Sequence, residues 1–224
     1  MNKFALLFCS VLTCASTMAH AGVSIGGTRV IYNEGKKEVA LNVTNSGEES
    51  YLIQSWVEDP TSAVKKAPFI ITPPLFRLDG NQDNILRIVR TGGQLPADTE
   101  KLYWLSIKTI PYAAKKDNTL QLAIKTKIKL IFRPDSLSEH TPEDVTEKLT
   151  WAIHGNQLTV NNPTNYYMNF NFILINGIKV ENPTYASPHA SQTYSLPRGS
   201  SAGRIEWALI SDFGGAGKTH SSKV

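Results

Sequence analysis

Apolar residues recur along this chain in short runs with a period of two, and hardly anywhere with the 3.6-residue period of a helix. β-Branched and aromatic side chains gather at Val23 to Ile31, Glu38 to Val43, Tyr51 to Val57, Ile85 to Val89 and Leu102 to Ile107. Turn-forming clusters such as Asn45-Ser46-Gly47 and Leu78-Asp79-Gly80-Asn81 separate them. Each run is predicted to be a strand, and short strands at this spacing imply a β-sandwich or barrel.

The segment from Leu120 to Phe132 stands apart. Leu120, Leu122, Ile124, Thr126, Ile128, Leu130 and Phe132 share one parity; Gln121, Lys125, Lys127, Lys129 and Arg133 share the other. This alternation lasts about twice the usual 5–6 residues of a strand. A long hairpin arm or a bent strand serving two sheets would account for the excess.

After Arg133-Pro134, the polar stretch Asp135 to Glu147 reads as a linker. Strand-like runs resume at Leu158 to Val160, Met168 to Ile175, Tyr194 to Leu196 and Arg204 to Ile210. The expected organisation is two all-β domains, 22–137 and 148–224, joined through 138–147. The polar, Gly-rich end, Gly214 to Val224, is expected to be frayed.

The N-terminus departs from this strand pattern. Lys3, an apolar run from Phe4 to Thr13 and Ala19-His20-Ala21 make a signal peptide of residues 1–21, with a mature chain from near Gly22. The run is shorter than the ~20 residues a membrane span needs, and no later stretch reads as a span, so no membrane insertion is expected. Both cysteines, Cys9 and Cys14, lie in that segment. The mature chain then has no disulfide, Cys-ligated metal or Cys nucleophile, and must hold itself together by burial. A formal charge of +4 is too weak a bias to argue for nucleic acid.

Candidate chemistry is sparse. Gly217-Lys218-Thr219 ends like a phosphate loop, but Asp212 occupies the position of its first glycine and too little chain follows for the helix it requires. His140, His154, His189 and His220 lack metal-ligand spacing, so neither a metal nor another cofactor is expected. No nucleophile elbow supports a Ser-His-Asp hydrolase. Asn42-Val43-Thr44 matches a glycosylation acceptor but lies mid-strand. Taken alone, Arg29, Glu100, Lys129, Arg133 and Asp212 are ordinary surface charges.

Several segments together resemble the periplasmic pilus (fimbrial) assembly chaperones of the chaperone-usher pathway. They are Gly27-Thr28-Arg29-Val30-Ile31-Tyr32, Thr72-Pro73-Pro74-Leu75-Phe76-Arg77-Leu78, Leu95-Pro96-Ala97-Asp98-Thr99-Glu100, the long strand ending Phe132-Arg133-Pro134, and Ile210-Ser211-Asp212-Phe213-Gly214-Gly215. The chain departs from the family pattern at Thr99, Ser106 and Tyr112. The resemblance implies two immunoglobulin-like β-sandwich domains at an angle with a cleft between them. It implies a periplasmic binding protein, not an enzyme, that caps pilus subunits by donor-strand complementation and delivers them to an outer-membrane usher. Leu120, Leu122 and Ile124 would be the donor residues, and Arg29 with Lys129 the anchor for a subunit's C-terminal carboxylate. Glu100, Arg133 and Asp212 would form an interdomain charged triad. A short connection from Pro111 to Asn118 and the lack of a disulfide would place the chain in the short-loop subgroup. A filament component of immunoglobulin-like fold and a secreted β-sandwich hydrolase are the rival classes.

Overall fold

The computed structural model describes residues 22–60, 67–112 and 120–224. The expected signal peptide, and most of the connection from Pro111 to Asn118, lie outside them.

The first domain packs two sheets face to face. One contains β1 (Val23–Ile25), β3 (Glu38–Asn45), β7 (Gln82–Arg90) and β5 (Phe69–Thr72), neighbours in that order. The other contains β2 (Arg29–Asn33), β9 (Ile124–Arg133), β8 (Lys101–Pro111), β4 (Tyr51–Glu58) and β6 (Leu75–Leu78). Alternation decides which side chains meet: Leu41, Val43, Leu86 and Ile88 face Ile53, Leu105, Ile107, Ile128, Leu130 and Phe132 in one buried cluster. Burial of each such side chain contributes roughly 1.5–3 kcal/mol.

The second domain repeats the arrangement on a smaller scale. A sheet of β10 (Thr150–His154), β11 (Gln157–Asn162) and β15 (Ala190–Ser195) covers a second sheet. The latter orders β13 (Ile178–Lys179), β12 (Met168–Ile175), β16 (Arg204–Leu209) and β17 (His220–Lys223), with β14 (Tyr185–Ala186) also on β12. Leu158, Val160, Phe170, Ile173 and Trp207 lie in its core.

Four expectations need correction. The single strand expected over Val23 to Ile31 is two strands in different sheets. β1 pairs antiparallel with β3, whereas β2 pairs parallel with β9. The chain crosses at Gly26-Gly27, where a Cβ on Gly26 would stand 3.1 Å from that of Asn42; glycine permits this close approach. The long strand is also shorter than its alternation suggests. It begins at Ile124, and Leu120 and Leu122 lie ahead of it. The register with β8 runs out at Thr109↔Ile124, and β8 ends at Pro111, which has no N–H for a ladder.

The supposed linker is folded. Residues Asp135–Leu137 and Thr146–Lys148 form 3-10 turns around α1 (Pro142–Val145). The Asp144 carboxylate accepts from the Thr141 N–H at 2.7 Å and its hydroxyl at 2.9 Å, holding the helix start. Leu137 is buried, and the Trp207 indole donates to the Thr146 hydroxyl at 2.9 Å. Nor is the C-terminus frayed: β17 pairs with β16, and Gly203 and Val224 exchange backbone hydrogen bonds of 2.9 Å. Its side chains are too polar to signal a strand, but an edge strand needs only its backbone.

Candidate functional site

The parallel pairing of β2 with β9 puts Arg29 directly opposite Lys129. Paired residues share a face of the sheet, so two cations stand side by side, an arrangement that destabilises unless something else compensates. Both reach towards the second domain. The Arg29 guanidinium donates through Nη1 to the Ile210 carbonyl at 3.0 Å, and the Lys129 ammonium donates to Asn169 Oδ1 at 2.5 Å. Lys129 also lies 4.7 Å above the Tyr185 ring.

These contacts leave the pair short of negative charge. Arg29 is buried, and its Nε has no hydrogen-bond partner among the described residues. Burial pulls the Arg29 pKa below the usual guanidinium value, with the charge of Asp212 acting the other way. Burial and then the charge of Arg29 pull Lys129 down to about 8. A buried donor without an acceptor costs about 1–3 kcal/mol. An anion between the two residues would satisfy the donor and relieve the repulsion.

Four residues along the same face of β9, Arg133 engages carboxylates through all three of its nitrogens. Its Nε donates to Glu100 Oε1 at 2.7 Å, and its Nη1 and Nη2 donate to Asp212 at 2.6 and 3.0 Å. Glu100 also accepts from the Tyr167 N–H at 2.7 Å, so the triad draws on both domains. Burial opposes the Arg133 charge, but the Asp212 hydrogen bonds and the Glu100 charge win and raise its pKa. Burial pushes the Glu100 carboxyl up, while Arg133 and the Tyr167 N–H pull it back.

At the other end of β9 the apolar parity runs out of the core. Ile128 is buried, whereas Leu120, Leu122 and Ile124 are 82%, 67% and 63% exposed. Of these three only Ile124 lies in the strand. β2 meets β9 only from Lys129 onwards. From Ile124 to Ile128, that edge of β9 therefore has no neighbouring strand among the described residues. The structure thus joins an open strand edge, exposed aliphatic side chains and an under-neutralised cation pair in one line.

Sequence reasoning missed the second domain's share of this site. Asn169 is buried between Met168 and Phe170 at the start of β12. A polar residue inside an apolar run was the available signal. The Ile210 carbonyl and Tyr167 N–H are backbone groups and left no signal. The described residues contain no cluster of three or more His, Cys, Asp or Glu able to hold a metal ion.

Residues 22–138 match the model of the pili and flagellar-assembly chaperone family, PapD N-terminal domain. Residues 144–221 match that of the pili assembly chaperone PapD, C-terminal domain. A probable fimbrial chaperone, LpfB of Escherichia coli O157:H7, is 40% identical over 95% of this chain and 93% of its own. The chaperone protein FimC of Escherichia coli K12 is 45% identical over 88% of this chain and 82% of its own. Among solved structures, a chain of the Salmonella enterica SafA pilin complex with the SafB chaperone superposes with a TM-score of 0.84. It is 41% identical, and the match covers 91% of this chain and 96% of that one. Two matched domains in the right order and relatives of this similarity along nearly the whole chain place the protein in the PapD family of pilus assembly chaperones.

Proposed function

We propose that this chain is a periplasmic chaperone, without catalytic turnover, that caps pilus subunits by lending them a strand and delivers them to an outer-membrane usher. Residues 1–21 would direct its export, and the mature chain would comprise the domains 22–137 and 148–224 joined by 138–147. The observation that carries the reading is the cation pair, Arg29 and Lys129, at the inner end of an open strand edge. A relative has been solved with a pilin bound, which fits a polypeptide partner.

The geometry sets the direction of the lent strand. A carboxylate held by Arg29 and Lys129 fixes the C-terminal end of the entering segment. The free edge of β9 extends from there back towards Ile124. The segment therefore runs towards the anchor, as β9 does, and pairs with it in parallel by continuing the line of β2. Leu120, Leu122 and Ile124, extended onto the same edge, would fill pockets along the subunit's groove. A slip of one residue would turn them all away, so the carboxylate also sets the register. Glu100, Arg133 and Asp212 would hold the domains so that Asn169 and Ile210 stay beside the anchor.

The test is a subunit-derived C-terminal peptide offered with a free carboxylate and with an amide. The amide should bind about 30-fold to several-thousand-fold more weakly, the loss expected when one partner of a desolvated charge contact is removed. Equal affinities would remove the anchor from the mechanism.

A further inference from the structure

The cationic face of β9 continues beyond the anchor. Lys125 and Lys127 stand in line with Lys129, and Lys108 of β8 is the cross-strand neighbour of Lys125. Lys125 and Lys127 share a single carboxylate, Glu58 of β4, at 2.7 and 2.5 Å. Lys125 reaches it by folding inwards across the sheet, its ammonium 4.7 Å above the Trp56 ring. The two lysine side chains remain 40% and 44% exposed. Hydrogen bonds from Lys125 and then Lys127 hold the Glu58 carboxyl down to about 2, so it is ionised throughout the physiological range. One negative charge still leaves the row of Lys108, Lys125, Lys127, Lys129 and Arg29 strongly positive.

This face lies along the path of an entering strand, and the inference rests on that reading. A strand continuing the line of β2 turns alternate side chains to the pocket face, beside Ile124. The intervening side chains fall beside Lys125 and Lys127. We propose that these lysines select subunits whose last strand carries acidic side chains at the alternate positions facing away from the subunit's own core. Neutral residues there leave the lysine row unmatched, and basic residues oppose like charges across a ladder. An acidic partner lets one lysine leave Glu58 without losing its ion pair. It also favours encounter, because a patch of one sign steers the opposite charge towards it.

The test uses two valine-rich peptides of equal composition, each ending in a free carboxylate. One carries glutamate one and three residues before its terminal residue; the other carries it two and four residues before. One phase sets the acids beside the lysines and the other sets them on the pocket face. At low salt the two should differ by about tenfold in affinity, as expected for two partly exposed ion pairs. The preference should shrink in high salt and vanish in the double variant Lys125→Gln, Lys127→Gln, while Glu58→Gln should strengthen the favoured peptide. Equal binding of the two phases, or a preference that survives in the double variant, overturns the proposal. Amidated versions of both peptides distinguish loss of the lysine preference from loss of the anchor. Phase-independent binding that still needs the free carboxylate sinks only the lysine selection, whereas binding insensitive to amidation removes the anchor and this proposal with it.

Discussion

Arg133 and Lys129 lie on the same face of one strand, both at the junction of the two domains, yet their surroundings are opposites. Arg133 has two carboxylates and spends Nε, Nη1 and Nη2 on them. Lys129 has another cation beside it, a neutral amide and an aromatic ring. A buried charge already paired with two carboxylates can hold an arrangement in place and has little charge left to offer a further anion. A cation pair with an unsatisfied donor is held in place by the surrounding fold, and an anion beside it would satisfy the donor and relieve the repulsion. Under the proposed function this difference would give Arg133 a structural role and Arg29 with Lys129 a binding role, although sequence alone gives all three the same appearance.

Removing a side chain from each cluster should therefore do opposite things. Arg133→Ala leaves the Glu100 carboxylate buried and unpaired and should cost about 3–5 kcal/mol of stability in urea unfolding. A variant that unfolds at the same urea concentration as the parent would show that the triad holds nothing. Among the described residues, Arg29→Ala loses one side-chain hydrogen bond, to the Ile210 carbonyl, and should stay within about 1.5 kcal/mol of the parent. Its loss should appear instead in subunit capture, at about 2–5 kcal/mol. A destabilised Arg29→Ala chaperone that still captures subunits would reverse the assignment.

Much of this was legible in the sequence, for reasons that differ between residues. The outer aliphatic row shows through period two alone, because alternation registers a face whatever covers it. That Leu120 and Leu122 precede the strand was not legible, since alternation cannot say where the partner strand ends. The two-sheet path of β1 and β2 was hidden because Gly26-Gly27 signals flexibility but not its direction. Arg29, Lys129, Glu100, Arg133 and Asp212 could be grouped only through the family resemblance, as contacts between such distant positions exist only in the folded chain. The edge strand β17 and the docked helix α1 were missed because backbone pairing and capping, not apolar patterning, hold them.

The comparison also extends along β9, from Ile128, which is buried, to Ile124, which is 63% exposed. Ile124→Glu should leave stability within about 0.5 kcal/mol, as for other surface changes. Capture should weaken by roughly 1.5–3 kcal/mol, the worth of a buried aliphatic side chain, and further where the new charge enters an apolar pocket. Leu122→Glu should behave alike. Gross unfolding of either variant by circular dichroism would make these residues part of the chaperone's own core. Normal capture by the folded variants would end the strand-lending idea.

The smallest effect is specific to Lys129, because it appears in the pH dependence of binding and of stability. Lys129 titrates near 8 in the free chaperone, where burial and the charge of Arg29 disfavour its proton. A bound carboxylate favours that proton, so the pKa must rise on binding. Affinity should be flat below about pH 7 and then fall by up to about tenfold per pH unit above 8, until the bound-state pKa is reached. Stability of the free chaperone should move the other way. The folded pKa lies below the unfolded lysine value of 10.5, so between the two the unfolded chain binds more protons and stability rises with pH. Lys129→Met should abolish both slopes, each judged as the difference between variant and parent so that other titrating groups cancel. An affinity that is level between pH 7 and 9 in the parent would mean that Lys129 never meets the ligand's charge, and Arg29 would then have to hold it alone.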